Sequence, residues 1–386
     1  MNLGNSTNPS EIPAALKATI RAAQPEIDKN SDLPAQLIDE LREVGAFRLL
    51  TPKEFGGYEV SLAAALRVYE GLGRIDASVG WIVWNANFGF LAALLDETGA
   101  DQVWRNGDEP IFANSGSPGV AVPVEGGYRV SGTWKIVSGI RHATWLSVIA
   151  VVTCDGKPVM TDKGAPDVRL FLLRPGQYTV HDTWQVNGMR GSGSNDVTAE
   201  NVVVPAELAA RFDVPARIDR PLYRGFTPTL VFPGCTAVAL GVAQSAIDET
   251  VRLAKTKKSV LSSAVLADLP TTHAVMGRSE AALQAARNYL LDAAESIDAA
   301  GETATPVTLG QRATLRAAMS HAAQVSREVL GAMYELGSSS SIYDGNPVER
   351  QFRDGMVALQ HVNHAAGYFE AVGRVRFGMD PGVPLF

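Results

Sequence analysis

The spacing of apolar positions changes twice along the chain and divides it into three regions. From residue 9 to about 106, apolar residues recur at the three-to-four-residue spacing of an amphipathic helix. Between about 108 and 214 the pattern changes to short runs rich in Val, Tyr, Trp and Thr, punctuated by Gly and Pro, which is typical of strands. From about Thr236 the helical spacing returns. The pattern therefore predicts a mainly α protein with a middle β domain.

These regions predict an N-terminal helical domain (1–107), a middle β domain (108–214) and a C-terminal helical bundle (215–386). In the middle domain we expect Ser131-Gly132 to turn the chain. The strands expected there include 145–152, 168–173 and 202–204. A last helix is expected from about 347 to 373. The order of helices, strands and helices differs from the β-α alternation of a doubly wound sheet.

Charge and composition exclude several classes of protein. The chain has 34 Lys and Arg against 41 Asp and Glu, a net charge of −7 without a basic cluster, so we expect no nucleic-acid partner. Apolar windows such as 145–152 are far shorter than the ~20 residues of a membrane span. With two cysteines and no secretory signal at its start, the chain is expected to be cytoplasmic and free of disulfides.

Nucleotide and metal motifs are weak. Residues 71–76 begin like a dinucleotide fingerprint, but Asp76 stands where the third glycine belongs and no strand precedes them. His361 and His364 are three apart in a helical context, yet Asp354 and Glu370 complete no familiar metal spacing. We therefore predict no metal site. His361 and His364 remain candidates either for hydrogen-bonded core residues or, in the case of His361, for a catalytic group.

Five segments together resemble the acyl-CoA dehydrogenase superfamily, and more closely its two-component flavin-dependent monooxygenases (group D). They are LGRIDAS (72–78) with Gly80-Trp81, GTWKIVSG (132–139), WQVNGMRGSGS (184–194), ALGVA (239–243) and NPVERQFRD (346–354). The resemblance spans residues 10 to 380 or so. It implies an N-terminal helical domain, a middle β domain and a C-terminal four-helix bundle, in agreement with the periodicity. It also implies a flavin cofactor and a homotetramer.

By this resemblance, several residues are candidates for binding the flavin. Ser138 matches the Ser or Thr that hydrogen-bonds the ring near N5, Asn114 matches a flavin-contacting Asn, and Trp184 matches the Trp that flanks the ring. Lys257 stands where acyl-CoA dehydrogenases place an Arg that reaches a neighbouring subunit's cofactor, and Arg350 is a candidate donor to a flavin phosphate.

One departure from acyl-CoA dehydrogenases decides the expected chemistry. Their catalytic glutamate follows an Arg-Asp pair by about eight positions, but here that position is Val362, beside His361. The alternative family site, within 220–247, contains no Asp or Glu. Without a carboxylate base, α-proton abstraction from a thioester is disfavoured. The resemblance instead implies that reduced flavin reacts with O₂ to a C4a-hydroperoxide, with Ser138 and His361 as catalytic residues and His361 orienting the substrate or accepting its proton.

The expected substrate is a small aromatic or heteroaromatic molecule, indole-like or phenolic, bound by Trp81, Asn85, Phe88 and His361. Family hydroxylases often carry a second histidine after the Gly-Trp pair, but residues 82–95 have none, which favours an already electron-rich substrate over a phenol. FMNH₂ or FADH₂ would come from a separate NAD(P)H-dependent flavin reductase. The alternatives are an acyl-CoA dehydrogenase, an N-oxygenase of an amino sugar, or a non-catalytic flavin-binding scaffold.

Overall fold

The N-terminal part of the protein is helical. The structure, a computed structural model, describes residues 8–105, 107, 109–162, 164–225, 228–259, 263–383 and 386, so that Asn106 and Asp108 at the expected domain boundary lie outside it. The first helices are α1 (Ile12–Asn30), α2 (Ala35–Glu43), α3 (Leu62–Ile75), α4 (Ala77–Ala86) and α5 (Glu97–Trp104). The Asp76 side chain begins α4 by accepting hydrogen bonds from the backbone N–H groups of Ser78 and Val79.

An antiparallel-rich sheet follows. Its strands are β1 (Phe112–Val124), β2 (Gly127–Val137), β3 (Trp145–Cys154), β4 (Lys157–Pro158), β5 (Val168–Leu173), β6 (Thr179–His181), β7 (Asn195–Pro205) and β8 (Ala209–Arg211). In the described residues the strand order is β6-β7-β2-β1-β3-β5-β8, with β4 beside β3. The β1–β3 pair is parallel and the others are antiparallel.

Helices return after the sheet. They are α6 (Pro228–Val231), α7 (Gly234–Ala254), α8 (Pro270–Glu302), α9 (Leu309–Gly337), α10 (Pro347–Ala358) and α11 (Gly367–Arg376). The fold of helices, middle sheet and helices confirms the predicted class. One apolar core runs through all three regions.

The prediction that no apolar segment is long enough to span a membrane was wrong for one helix of the bundle. Residues Pro228–Ala254 form such a segment of 27 residues, and 89% of its most apolar window is buried inside the protein. It therefore acts as a core helix. Glycines allow its close packing: a Cβ on Gly241 would lie 2.2 Å from the carbonyl oxygen of Glu70, and one on Gly73 would lie 2.8 Å from that of Val238.

Two local predictions were wrong. Ser131-Gly132 does not turn the chain but lies inside β2, where the pairing with β7 shifts register; a Cβ on Gly132 would meet the Trp134 ring at 2.8 Å, so the glycine makes room for that ring. The expected helix over 347–373 is broken between α10 and α11. Residues Val362–His364 form a 3₁₀ turn there, because the His361 side chain accepts a hydrogen bond from the Asn363 N–H at the start of the turn.

Candidate active site

A cavity of about 660 Å³ lies where α4, the sheet and the end of α10 meet. This volume is in the range of sites for cofactors and small ligands. Most of the lining comes from α4, from residues 114–117 of β1, from the end of β2, from the loop before β7 and from the end of α10 with the break after it. Single residues of β3 and β5 and the region of α6 also contribute to it. Of the residues proposed from the sequence, those that line it are Trp81, Asn85, Phe88, Asn114, Ser138, Trp184 and His361.

The helical wall of the cavity is aromatic. The rings of Trp81 and Trp84 meet edge to face with centroids 4.8 Å apart. The His361 imidazole stands at 5.5 Å from each of them, again edge to face. Trp84 donates its indole N–H to the Val231 carbonyl oxygen at 2.7 Å, which ties α4 to the start of the bundle. The imidazole is therefore held by rings and not by an acidic partner.

His361 is a neutral hydrogen-bond donor in this setting. Burial, assisted by the positive charge of Arg316, lowers the pKa of His361 to about 4. Its Nδ1 accepts a hydrogen bond from the Asn363 N–H at 3.3 Å, so Nδ1 carries the lone pair. A neutral imidazole with an accepting Nδ1 has its proton on Nε2. The side chain therefore offers an Nε2–H donor and is a weak base.

His364 has a different place from His361. It lies behind the cavity wall, buried, with Nε2 at 3.1 Å from the Thr236 hydroxyl, and burial lowers the pKa of His364 to about 3. Among the described residues, no group of three or more His, Cys, Asp or Glu side chains is arranged to hold a metal ion. Of the two histidines, His361 is the one that lines the cavity.

A second wall, joined to the first by a hydrogen bond, is polar and comes from residues that flank β2 and β7. The Ser138 hydroxyl is buried, accepts the Trp81 indole N–H at 3.1 Å and lies 2.8 Å from the Ser194 hydroxyl. Ser194 in turn lies 2.7 Å from the Ser192 hydroxyl, which donates to the Met189 carbonyl oxygen at 2.8 Å. These serines and Met189 all line the cavity.

Asn114 and Asn85 form an amide pair beside the hydroxyls. The Asn114 Nδ2 donates to both the carbonyl oxygen and the side-chain oxygen of Asn85, each at 2.8 Å. Asn85 lies in the last turn of α4, where a helix has carbonyl groups without intrahelical partners, so Asn114 satisfies one of them. The two residues, proposed separately for the flavin and for the substrate, are therefore in direct contact at the cavity.

The segment 184–194 is held from both sides. Trp184 donates its indole N–H to the Met189 carbonyl oxygen at 3.2 Å. The Met189 N–H donates to Asp354 of α10 at 2.8 Å, and burial raises the pKa of Asp354 to about 7. Met189 has a φ of +54°, a left-handed conformation that costs a non-glycine residue free energy. The buried carboxyl of Asp354 thus holds a strained residue that forms part of the cavity wall.

Two proposed phosphate contacts do not line the cavity. Arg350 lies in an ion-pair network, with Nη2 at 2.8 Å from Asp76 and Nε at 3.4 Å from Asp28, and its side chain is 11% exposed. This network joins α10 to α1 and α4, so Arg350 has a structural role within the chain. Lys257 donates to the Gly337 carbonyl oxygen and to Ser340 at the far end of the bundle. A contact of Lys257 with a neighbouring subunit's cofactor stays a prediction.

The lining fits a flavin better than an acyl-CoA base site. Among the described residues that line the cavity there is no Asp or Glu, and Val362 occupies the position that resembles the family glutamate. The Ser138 oxygen, which accepts one hydrogen bond and has two lone pairs, can still accept another. The Asn114 amide and the Trp184 ring supply polar contacts and an apolar face. This donor and acceptor set suits a flat, heteroatom-rich ring.

Sequence reasoning missed several lining residues. Met189, Ser192 and Ser194 are the most informative of them. The two serines and Met189 lie in the segment 184–194 that carried the family resemblance, and their motif was therefore the available signal. The contact of Ser194 with Ser138, more than fifty positions earlier in the chain, had no local sequence signal.

Comparison with known proteins agrees with this geometry. The family model "Acyl-CoA dehydrogenase, N-terminal domain" matches residues 11–105, and "Acyl-CoA dehydrogenase, C-terminal domain" matches 234–366. Indole-3-acetate monooxygenase of Pseudomonas putida is 31% identical over 369 residues, which cover 94% of this chain and 91% of the relative. The chain belongs to the acyl-CoA dehydrogenase superfamily. Within it, the chain is a flavin-dependent monooxygenase.

Solved structures share the fold. XiaF from Streptomyces sp., in complex with FADH₂ and glycerol, is 24% identical with a TM-score of 0.88, covering 97% of this chain and 96% of its own. Dibenzothiophene monooxygenase TdsC from Paenibacillus sp. A11-2, in complex with FMN and indole, is 22% identical with a TM-score of 0.81, covering 96% and 97%. The expected architecture is confirmed.

Proposed function

We propose that this protein is the oxygenase component of a two-component monooxygenase that hydroxylates a small aromatic or heteroaromatic substrate, indole-like or phenolic. FMNH₂ or FADH₂ from a separate NAD(P)H-dependent reductase and O₂ are the co-substrates. The observation that carries the proposal is one cavity with the Ser138 hydroxyl on one wall, the neutral His361 imidazole on the other, and no carboxylate among its described lining residues.

Some lining residues of the cavity would bind the flavin, and others would bind the substrate and exclude water. When bound, reduced flavin supplies the two electrons with which O₂ is split, one oxygen atom entering the substrate and the other leaving as water. Ser138 and Asn114 would hold the flavin ring, and Trp184 would flank it. The rings of the helical wall exclude water from the space between the two walls.

His361 would orient the substrate by donating from Nε2. A carboxylate or phenolic oxygen is a suitable acceptor for this N–H. A pKa near 4 makes the imidazole a poor acceptor for the proton of a phenol near neutral pH. Of the two roles expected from the sequence, orientation of the substrate is therefore the one that the geometry favours.

The test is turnover with chemically reduced FMN or FAD, O₂ and a panel of indoles, arylacetates, phenols and amino sugars. We expect an aromatic product that carries oxygen from isotopically labelled O₂. In a parallel assay, acyl-CoA thioesters should leave oxidised flavin unbleached. Bleaching by a thioester, with no oxygenated product from the panel, would replace the proposal by a dehydrogenase. Product formed equally well by Ser138→Ala and His361→Leu would remove both residues from the mechanism.

The assembly is part of the same proposal. Exposed apolar side chains near the end of the chain, Ile342, Tyr343 and Phe377, are supportive of packing between subunits in a homotetramer. Lys257 would then reach a neighbouring subunit's flavin. Light scattering at several protein concentrations measures the assembly, and a monomer would contradict this part. A cytoplasmic location stays a prediction.

A further inference from the structure

The serine hydroxyls behind Ser138 form a chain whose direction can be worked out. Met189 contributes a carbonyl oxygen, which only accepts, so Ser192 must spend its single hydroxyl proton on it. Ser194 then donates to Ser192, because otherwise two lone pairs would face each other at 2.7 Å. By the same argument Ser138 donates to Ser194 at 2.8 Å.

At the other end of the row of serine hydroxyls, the hydrogen bonds run in the same direction. Trp81 has an indole N–H, which only donates, and Ser138 accepts it at 3.1 Å. The Ser138 proton is therefore committed to Ser194, and one lone pair of its oxygen stays available towards the cavity that it lines. In this arrangement Ser138 is ready to accept a further hydrogen bond and not to donate one.

We propose that Ser192 and Ser194 are positioning residues that fix Ser138 as an acceptor and so make the site bind reduced flavin more tightly than oxidised flavin. The inference rests on the proposed function, in which Ser138 meets N5 of the ring. N5 carries a proton in the reduced ring and a lone pair in the oxidised ring. Ser138 can accept a hydrogen bond from N5–H of the reduced ring without any change in the serine hydroxyls. For Ser138 to donate to N5 of the oxidised ring, one hydrogen bond between the serine hydroxyls must be broken.

The chain also ends without an exit for a proton. The last acceptor is the peptide oxygen of Met189, which holds no proton that it can pass on, so net transfer along the serines stops there. The backbone of Met189 is also held on its other side, where the Met189 N–H donates to Asp354. A proton held at Ser138 therefore cannot leave through Ser194 and Ser192.

The experiment is anaerobic titration of the full-length protein with oxidised and with reduced FMN and FAD, for wild type, Ser192→Ala and Ser194→Ala. Loss of either hydroxyl frees Ser138 to donate. We expect the affinity for oxidised flavin to rise about fivefold to tenfold. This factor corresponds to the free energy of one net hydrogen bond, which wild type must break before Ser138 can donate and which the variants need not break. The affinity for reduced flavin should change little. The midpoint potential of the bound flavin should fall by about 30 mV for each tenfold change in the ratio of the two affinities.

Ser147→Ala is the matched control, since Ser147 is a buried serine on β3 that does not line the cavity and whose hydroxyl has no hydrogen-bond partner in the described structure. It should leave the ratio of affinities unchanged. Equal weakening of both flavin states in the Ser192 and Ser194 variants, or an unchanged ratio, would overturn the inference. Failure of the proposed function looks different: flavin would bind with the expected preference, yet no aromatic substrate would be oxygenated.

Discussion

The two walls of the cavity use polar groups in opposite ways. On the sheet side, Ser138, Ser194 and Ser192 form a continuous chain in which each proton is committed to a neighbour. On the helical side, a single imidazole N–H stands among indole rings. An ordered array suits a group of constant structure, such as a cofactor. One donor in an apolar wall suits selection of a substrate by shape plus a single acceptor.

The largest expected effect comes from breaking the sheet side. Ser138→Ala removes the proposed acceptor for the flavin and also leaves the buried Trp81 N–H without its partner. We expect the yield of hydroxylated product per flavin oxidised to fall by about a hundredfold, with H₂O₂ released instead, because one positioned polar contact in a dry site is worth this much. Product and H₂O₂ are measured together after mixing reduced flavin with O₂. A variant that remains coupled would contradict the role of Ser138.

The helical side is tested by removing its donor. His361→Leu keeps an apolar side chain but has no N–H, and we expect the KM for an anionic or phenolic substrate to rise about tenfold to thirtyfold, the cost of a lost buried hydrogen bond. His361→Asn keeps a donor and should recover part of the loss. If His361→Leu lowered the affinity for flavin instead of that for substrate, the proposal that the His361 wall binds substrate and the Ser138 wall binds flavin would be wrong.

The lowered pKa values of His361 and His364 should make stability depend on pH. Burial lowers the pKa of His361 to about 4 and that of His364 to about 3, so between these values and about 6.5 the unfolded chain binds more protons than the folded one. The contribution of the two histidines to stability is then complete above about pH 6.5 and is lost as the pH falls, by about 1 kcal/mol per histidine between about pH 7.5 and pH 5.5. Asp354 acts in the opposite direction, because its raised pKa of about 7 makes the folded chain bind more protons than the unfolded one in this range. Urea unfolding of wild type and His364→Gln at both pH values isolates the histidine: on going from about pH 7.5 to pH 5.5, the variant should lose about 1 kcal/mol less than wild type.

The smallest effect separates two neighbouring tryptophans. Trp81→Phe and Trp84→Phe each remove one indole N–H, the first directed at Ser138 and the second at the Val231 carbonyl oxygen. We expect Trp81→Phe to change flavin binding threefold or so and Trp84→Phe to lower the free energy of unfolding by about 1 kcal/mol with little change in flavin binding. Flavin titration and chemical unfolding of both variants test the pair. Identical behaviour would argue against separate roles.

Much of the site was accessible from the sequence because its residues lie in short motifs. Trp81 follows the glycine that lets α4 approach α3, since a Cβ on Gly80 would meet the Gly73 backbone nitrogen at 2.7 Å. Ser138 directly follows β2, and Trp184 begins the segment that packs on α10. Local spacing also predicted β5 over 168–173, with the bounds that the strand has. Such features depend on neighbours in the chain.

Other features could not be predicted, because they depend on which distant groups meet. The sequence offered Arg350 as a donor to a flavin phosphate, which stays a prediction, and gave no signal for the ion pairs with Asp28 and Asp76 that the fold forms around it. His361 was expected in a helix, yet its hydrogen bond with the Asn363 N–H places it at a break. Both are polar groups whose partners are chosen by geometry and not by periodicity.

By itself, the amino-acid sequence determined the order of helices and strands, the superfamily and the absence of a glutamate at the usual place, because these follow from periodicity, motif and residue type. Only the tertiary structure decided that the Ser138 hydroxyl accepts where it faces the cavity and that His361 donates. The direction of a hydrogen bond is a property of the whole network, and Trp81 and Met189, which set it from either end, are 108 positions apart in the chain.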